Sequence, residues 1–179
     1  MKKYKMSLKQ WRVRQTKSFE ENLPIYLNIF SQVLSISRFL TQNKVNHYDI
    51  KCDNFLIEAA ESQDEEKIVN QNGETPNFSV CLADFGESLI YNKKKEGFTT
   101  DNRGTEFIKS PEMLTVAYAG NIERATYDRR KQPGADKASD MWSLGCLLYE
   151  LLTGEFLFYD DDWVRFFIRV TVPNQVSDQ

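Results

Sequence analysis

The sequence predicts a mainly α fold of the α+β class, with helices gathered around a long central helix and a small β-hairpin whose end presents loops. Three patterns carry this expectation. Between residues 24 and 42, Ile25, Ile29, Val33, Ile36 and Leu40 recur at helical spacing, and Tyr26, Phe30 and Leu34 widen the stripe. Between residues 139 and 154, Met141, Trp142, Leu144, Leu147, Leu148, Leu151 and Leu152 are apolar nearly all round, as in a helix central to a core. Two short runs, Phe55-Leu56-Ile57 and the alternating Phe78, Val80 and Leu82, read as strands.

Taken in order, the first eighteen residues carry only positive charge (Lys2, Lys3, Lys5, Lys9, Arg12, Arg14, Lys17) and are expected to form a solvated face. An organellar transit peptide is the other reading of such a run, whereas a secretory signal would need an apolar stretch that does not follow. The first long helix is expected to begin near Pro24, a residue tolerated in a first turn. Residues 43–54 are polar and irregular, as a loop should be. Residues 58–77 carry Glu58, Glu61, Asp64, Glu65, Glu66 and Glu74 with an Asn72-Gly73 turn signal, which reads as a solvated acidic insertion between the two strands. The second strand runs straight into Asp84-Phe85-Gly86, so a carboxylate arrives at a strand's end. Residues 87–137 show weak periodicity and two basic clusters, and are expected to be long surface segments, with 113–137 an extended loop insertion. Ser139-Asp140 reads as an N-cap pair and Gly154 as a C-cap. Asp160 to Asp162 precede a final apolar helical run, where negative charge suits a helix N-terminus.

With 179 residues, 41% hydrophobic and 27% charged, one domain with a sizeable core is expected. A net charge of -3 supplies no global attraction for nucleic acid or an anionic membrane, and no uninterrupted apolar run approaches the length that spans a bilayer. Cys52, Cys81 and Cys146 match neither a disulfide framework nor a zinc pattern, so a reducing, cytoplasmic location is expected. His47 is the only histidine, which leaves carboxylates, lysine, amides and hydroxyls to carry any chemistry.

Such groups are concentrated in three ordered patterns: His47-Tyr48-Asp49-Ile50-Lys51-Cys52-Asp53-Asn54, then Asp84-Phe85-Gly86, then Gly104-Thr105 leading to Ser110-Pro111-Glu112, with Asp140-Met141-Trp142-Ser143-Leu144-Gly145 behind them. In a chain this long the first arises by chance roughly once in a thousand sequences and D-F-G about once in fifty, so their combination in this order excludes coincidence as a working reading. The sequence resembles the protein kinase superfamily, whose signatures are the H-x-D-x-K-x-x-N loop, D-F-G, A-P-E and D-x-W-S-x-G. The resemblance implies the helical C-terminal lobe of a serine/threonine kinase, with ATP and Mg2+ as cofactors and a protein as substrate.

By that resemblance Asp49 is the base that accepts the proton of the attacking hydroxyl. Lys51 holds positive charge against the transferring phosphate, and Thr105 contacts both. Asn54 and Asp84 supply the hard oxygens magnesium prefers. His47 is implied to pack beneath Phe85, and Asp140 to hydrogen-bond back to the catalytic-loop backbone. Tyr48 stands where most kinases have arginine, so switching through that arginine is not expected, although Thr99 and Thr100 remain candidates for modification.

The front of the sequence departs from the family. Before the long helix there is no glycine-rich strand and no V-A-I-K lysine, so the nucleotide-covering lobe is expected to come from a missing segment or a partner. The arginine that usually pairs with the position of Glu112 is absent too, which should leave Glu112 without its partner. Two other readings stay open: a natively short pseudokinase acting as a binding or scaffold module, and a small-molecule phosphotransferase sharing the H-x-D-x-x-x-x-N loop.

Overall fold

The structure is a computed structural model that describes residues 6–59, 78–91, 98–119 and 134–172. Its elements are β1 (Met6–Ser7), α1 (Leu8–Val13), α2 (Phe19–Gln42), β2 (Val45–Asn46), β3 (Phe55–Ala59), β4 (Phe78–Leu82), β5 (Leu89–Ile90), a 3-10 turn (Glu106–Ile108), α3 (Pro111–Ala119), α4 (Ala138–Thr153) and α5 (Trp163–Thr171). Helices dominate, beside a three-stranded antiparallel sheet of order β1-β3-β4 and a two-stranded one of β2 and β5. The predicted strands thus pair, in the register Phe55↔Leu82 through Ala59↔Phe78. Glu58 and Ala59 belong to β3, and the remainder of the acidic insertion expected at 58–77 lies outside the described residues.

Of the basic N-terminal run, Lys2, Lys3 and Lys5 lie outside the described residues and Arg14 and Lys17 are exposed as expected, but Lys9 and Arg12 have partners in the fold. β1 adds to the edge of β3, and α1 buries Leu8 and Trp11 in the main core. Lys9 reaches Asp53 at 3.2 Å, while the Arg12 guanidinium donates to the carbonyls of Leu151 and Leu152 at 2.7 and 3.1 Å. Those carbonyls end α4 and have no helical partner, which is where a cation is most useful. Periodicity over so short a stretch could not show that its charges had partners more than a hundred residues away.

α2 starts five residues before Pro24. Ser18 caps it: the Ser18 hydroxyl accepts from the Glu21 amide and the Glu21 carboxylate accepts from the Ser18 amide. This Ser-x-x-Glu capping box fixes the start, and burial of the helix's apolar face offsets the bond that Pro24 removes inside it. Tyr26, Ile29, Val33 and Leu40 are buried with Leu144, Leu147 and Leu151 of α4 and Phe55, Ile57 and Leu82 of the sheet. By length and composition α2 could cross a bilayer, although polar residues interrupt its apolar runs as the sequence shows, and its buried face packs into the protein core. Burial of each such side chain contributes about 1.5–3 kcal/mol.

α4 begins at Ala138, before the expected cap pair. Asp136 accepts from the Ala138 amide at 2.8 Å, Ser139 turns inward, and Asp140 faces the site. Gly154 closes the helix at φ +85°, its amide donating to Glu150 at 2.8 Å, as its position predicts. Met141 is 65% exposed, so the helix is buried on a broad face rather than all round.

Residues 111–119 form α3 instead of opening the loop expected at 113–137, and residues 120–133 lie outside the described part. Weak periodicity hid α3 because its two apolar sides serve different clusters. Met113 and Val116 pack with Tyr48 and Ala135, whereas Leu114 packs with Phe166 and Val170 of α5. Asp162 caps α5, accepting from the amides of Val164 and Arg165.

Candidate active site

The strand pair places the two proposed oxygen ligands. Beyond the last pair, Phe55↔Leu82, the Ala83 amide donates to the Asn54 carbonyl at 2.9 Å, so Asn54 and Asp84 leave the same end of the sheet. Asp84 has φ +60°, an uncommon conformation for a residue with a side chain, and its exposed carboxylate accepts only weakly from the Gly86 amide at 3.3 Å. Asn54 is buried, and its Nδ2 donates to the Asp49 carbonyl at 2.8 Å and to Asp49 Oδ2 at 2.9 Å. The amide nitrogen is thereby engaged, and Oδ1 is the atom left to act as a ligand.

The loop bearing Asp49 hangs from α4. Asp140 accepts from the backbone amides of His47 and Tyr48, each at 2.7 Å. These charge-assisted bonds hold Tyr48 at φ +63°, a left-handed conformation costly for a bulky residue. The Tyr48 ring turns down among Met113, Val116 and Ala135, and its hydroxyl donates to the Ala135 carbonyl at 3.3 Å. His47 is fully buried. Its Nδ1 accepts from the Asp49 amide, its Nε2 faces the Ala83 carbonyl at 3.3 Å, and its ring meets Phe85 edge-on at 4.9 Å. Burial lowers its pKa, only partly opposed by Asp140 and the Ala83 carbonyl, so it is neutral near pH 7.

Asp49 itself is nearly enclosed. Oδ1 accepts from the Thr105 amide at 2.9 Å and hydroxyl at 2.7 Å, while Oδ2 takes Asn54 and lies 2.8 Å from Lys51 Nζ. Lys51 also donates to the Thr105 hydroxyl. Burial alone would raise the Asp49 pKa, but the bonds from Lys51, Thr105 and Asn54 outweigh it and hold the carboxylate ionised. All five predicted site residues, Asp49, Lys51, Asn54, Asp84 and Thr105, therefore converge on one end of the sheet.

Thr105 can reach Asp49 only because Gly104 precedes it. Gly104 has φ +81°, and a Cβ there would sit 2.1 Å from the Tyr48 carbonyl oxygen. Other contacts were not visible in the sequence. Glu112 is not left alone: it accepts from the Ser139 hydroxyl at 3.2 Å, and Ser139 lies 2.8 Å from Ser110. Small inward-facing serines at the start of α4 were the only signal. Lys109 is buried, donating to Asn102 and Glu106 at 2.7 and 2.9 Å. Thr99, expected with Thr100 as a modifiable hydroxyl, is only 4% exposed, whereas Thr100 faces solvent.

Residues 3–172 match the family model described as protein kinase domain. The chain is 61% identical over 176 residues to a probable serine/threonine-protein kinase of Dictyostelium discoideum, covering 98% of this chain and 7% of that protein. It is also 30% identical over 142 residues to the probable serine/threonine-protein kinase nek3 of the same organism, covering 79% of this chain and 10% of that protein. Against mitogen-activated protein kinase kinase kinase 1 of Arabidopsis thaliana the identity is 27% over 139 residues, 78% of this chain and 17% of that protein. The chain thus spans a small part of the length of each.

Proposed function

The chain belongs to the protein kinase domain family, and on that premise we propose that it is the helical C-terminal lobe of a serine/threonine kinase, transferring the terminal phosphate of ATP to a protein hydroxyl. The observation that carries the proposal is the enclosure of Asp49 by Lys51, Asn54 and Thr105, because a module that only bound partners would have no need of it. Asp49 receives the substrate hydroxyl and takes its proton as the new oxygen–phosphorus bond forms and the bond from the terminal phosphorus to the bridging oxygen breaks, releasing ADP. Lys51 neutralises charge on the transferred group, and Thr105 keeps the carboxylate and the lysine in register.

Asn54 Oδ1 and Asp84 fit a magnesium ion, being hard oxygens at the same end of two paired strands with the competing nitrogen of Asn54 already engaged. Magnesium supplies charge neutralisation at the phosphates. Phe85, 49% exposed beside this end of the sheet, favours the view that a further lobe, from another segment or a partner, covers the nucleotide. The buried thiols of Cys52 and Cys146 suit a cytoplasmic location.

The test is phosphate transfer from labelled ATP to a mixed serine/threonine peptide pool by the full natural polypeptide, with Asp49→Asn alongside. Transfer should require magnesium and fall by at least about a thousandfold in Asp49→Asn while nucleotide binding persists. Nucleotide binding without any transfer by the natural protein would instead favour a scaffold role.

A further inference from the structure

Residues 84–112 must bring Thr105 to Asp49, and one side chain within them, Arg103, points inward, 19% exposed. Its Nη1 donates to the Glu87 carbonyl at 3.2 Å, its Nε to the Thr99 hydroxyl at 3.3 Å, and its Nη2 to Asp101 at 2.9 Å. The acceptors are well separated along the chain. Glu87 follows the Asp84-Phe85-Gly86 turn directly. Thr99 is paired to Ala135 by two backbone bonds of 2.8 and 3.0 Å, just before α4, and Ala135 also accepts from the Tyr48 hydroxyl. Gly104, wedged against the Tyr48 carbonyl, and then Thr105 follow Arg103 in sequence.

We propose that Arg103 is a positioning residue for phosphoryl transfer: its guanidinium ties the Glu87 carbonyl and the Thr99 hydroxyl into one strut that sets Thr105 against Asp49. The Asp101 pair contributes little, since Asp101 is 73% exposed and such pairs are screened. The weight falls on the Glu87 carbonyl and the Thr99 hydroxyl, which a planar fork of donors can hold together and a lysine cannot. The inference rests on the reading of Asp49 as the base.

The test compares Arg103→Ala, Arg103→Lys and Asp101→Asn in the full polypeptide, following residue-resolved amide exchange together with kcat and KM. Arg103→Ala should speed exchange of the Thr105 amide about tenfold and lower kcat by at least about tenfold, with the KM for ATP nearly unchanged and the amides of α2 and α4 still protected. Arg103→Lys should fall between, and Asp101→Asn should stay within about threefold of the parent.

Unchanged Thr105 exchange in Arg103→Ala overturns the strut. Faster exchange with unchanged kcat overturns the positioning role. If the parent transfers no phosphate at all, the catalytic reading fails by itself, and Thr105 exchange still decides for or against the strut.

Discussion

Replacing Asp140 by Asn tests how the catalytic loop is held. The carboxylate accepts two 2.7 Å bonds, from the amides of His47 and Tyr48, across more than ninety residues of sequence. Asn keeps one acceptor oxygen and turns its nitrogen, itself a donor, toward the other amide. An orphaned partly buried amide costs about 1–3 kcal/mol, and the surviving bond loses its charge assistance, worth about another 1 kcal/mol. Burial pushes the Asp140 pKa above its ordinary value despite the two amides, so removing the charge returns part of that penalty. A net loss of about 2 kcal/mol follows. With a urea m-value of about 2 kcal/mol/M, the unfolding midpoint should fall by about 1 M at unchanged m. Exchange of the His47 and Tyr48 amides should accelerate together, because Tyr48 at φ +63° has lost what holds it there. An unchanged midpoint with both amides still protected would refute the reasoning.

Gly104→Ala should lower transfer by about a hundredfold with little change in nucleotide affinity, since the new Cβ must displace the Tyr48 carbonyl and with it Thr105; kinetics alongside nucleotide titration check this. Arg12→Ala should lower stability by about 1–3 kcal/mol in urea unfolding, because the α4 carbonyls lose a charged donor; a solvated basic face would show no change. The His47 pKa is lowered in the folded chain, so the unfolded chain binds the more protons in acid. Its contribution is therefore present above the unfolded value, near 6.5, and is lost as pH falls below it toward the folded pKa. Thermal melts should show a fall in Tm through that range that His47→Asn lacks.

The candidate site was legible because each of its groups is local in sequence and restricted in type. Asp49, Lys51 and Asn54 stand in one loop, and strand alternation ends directly before Asp84, so pattern alone placed a carboxylate and an amide at strand ends. The apolar stripes of α2 and α4, the Gly154 stop and the Asp162 cap follow from helical geometry in the same way. The Ser18–Glu21 capping box was also present in the sequence, but Pro24 drew the boundary because a proline is the stronger single-residue signal.

What only the tertiary structure decided depends on groups left unsatisfied once the helices and sheet have formed. The last carbonyls of α4 call for a donor, and Arg12 supplies it from 139 residues away. Glu112 takes the Ser139 hydroxyl, and Arg103 turns inward because Glu87 and Thr99 present acceptors there. A sequence shows which residues carry charge and chemistry. Which partner neutralises each of them is settled only when distant backbone ends are brought within hydrogen-bonding distance.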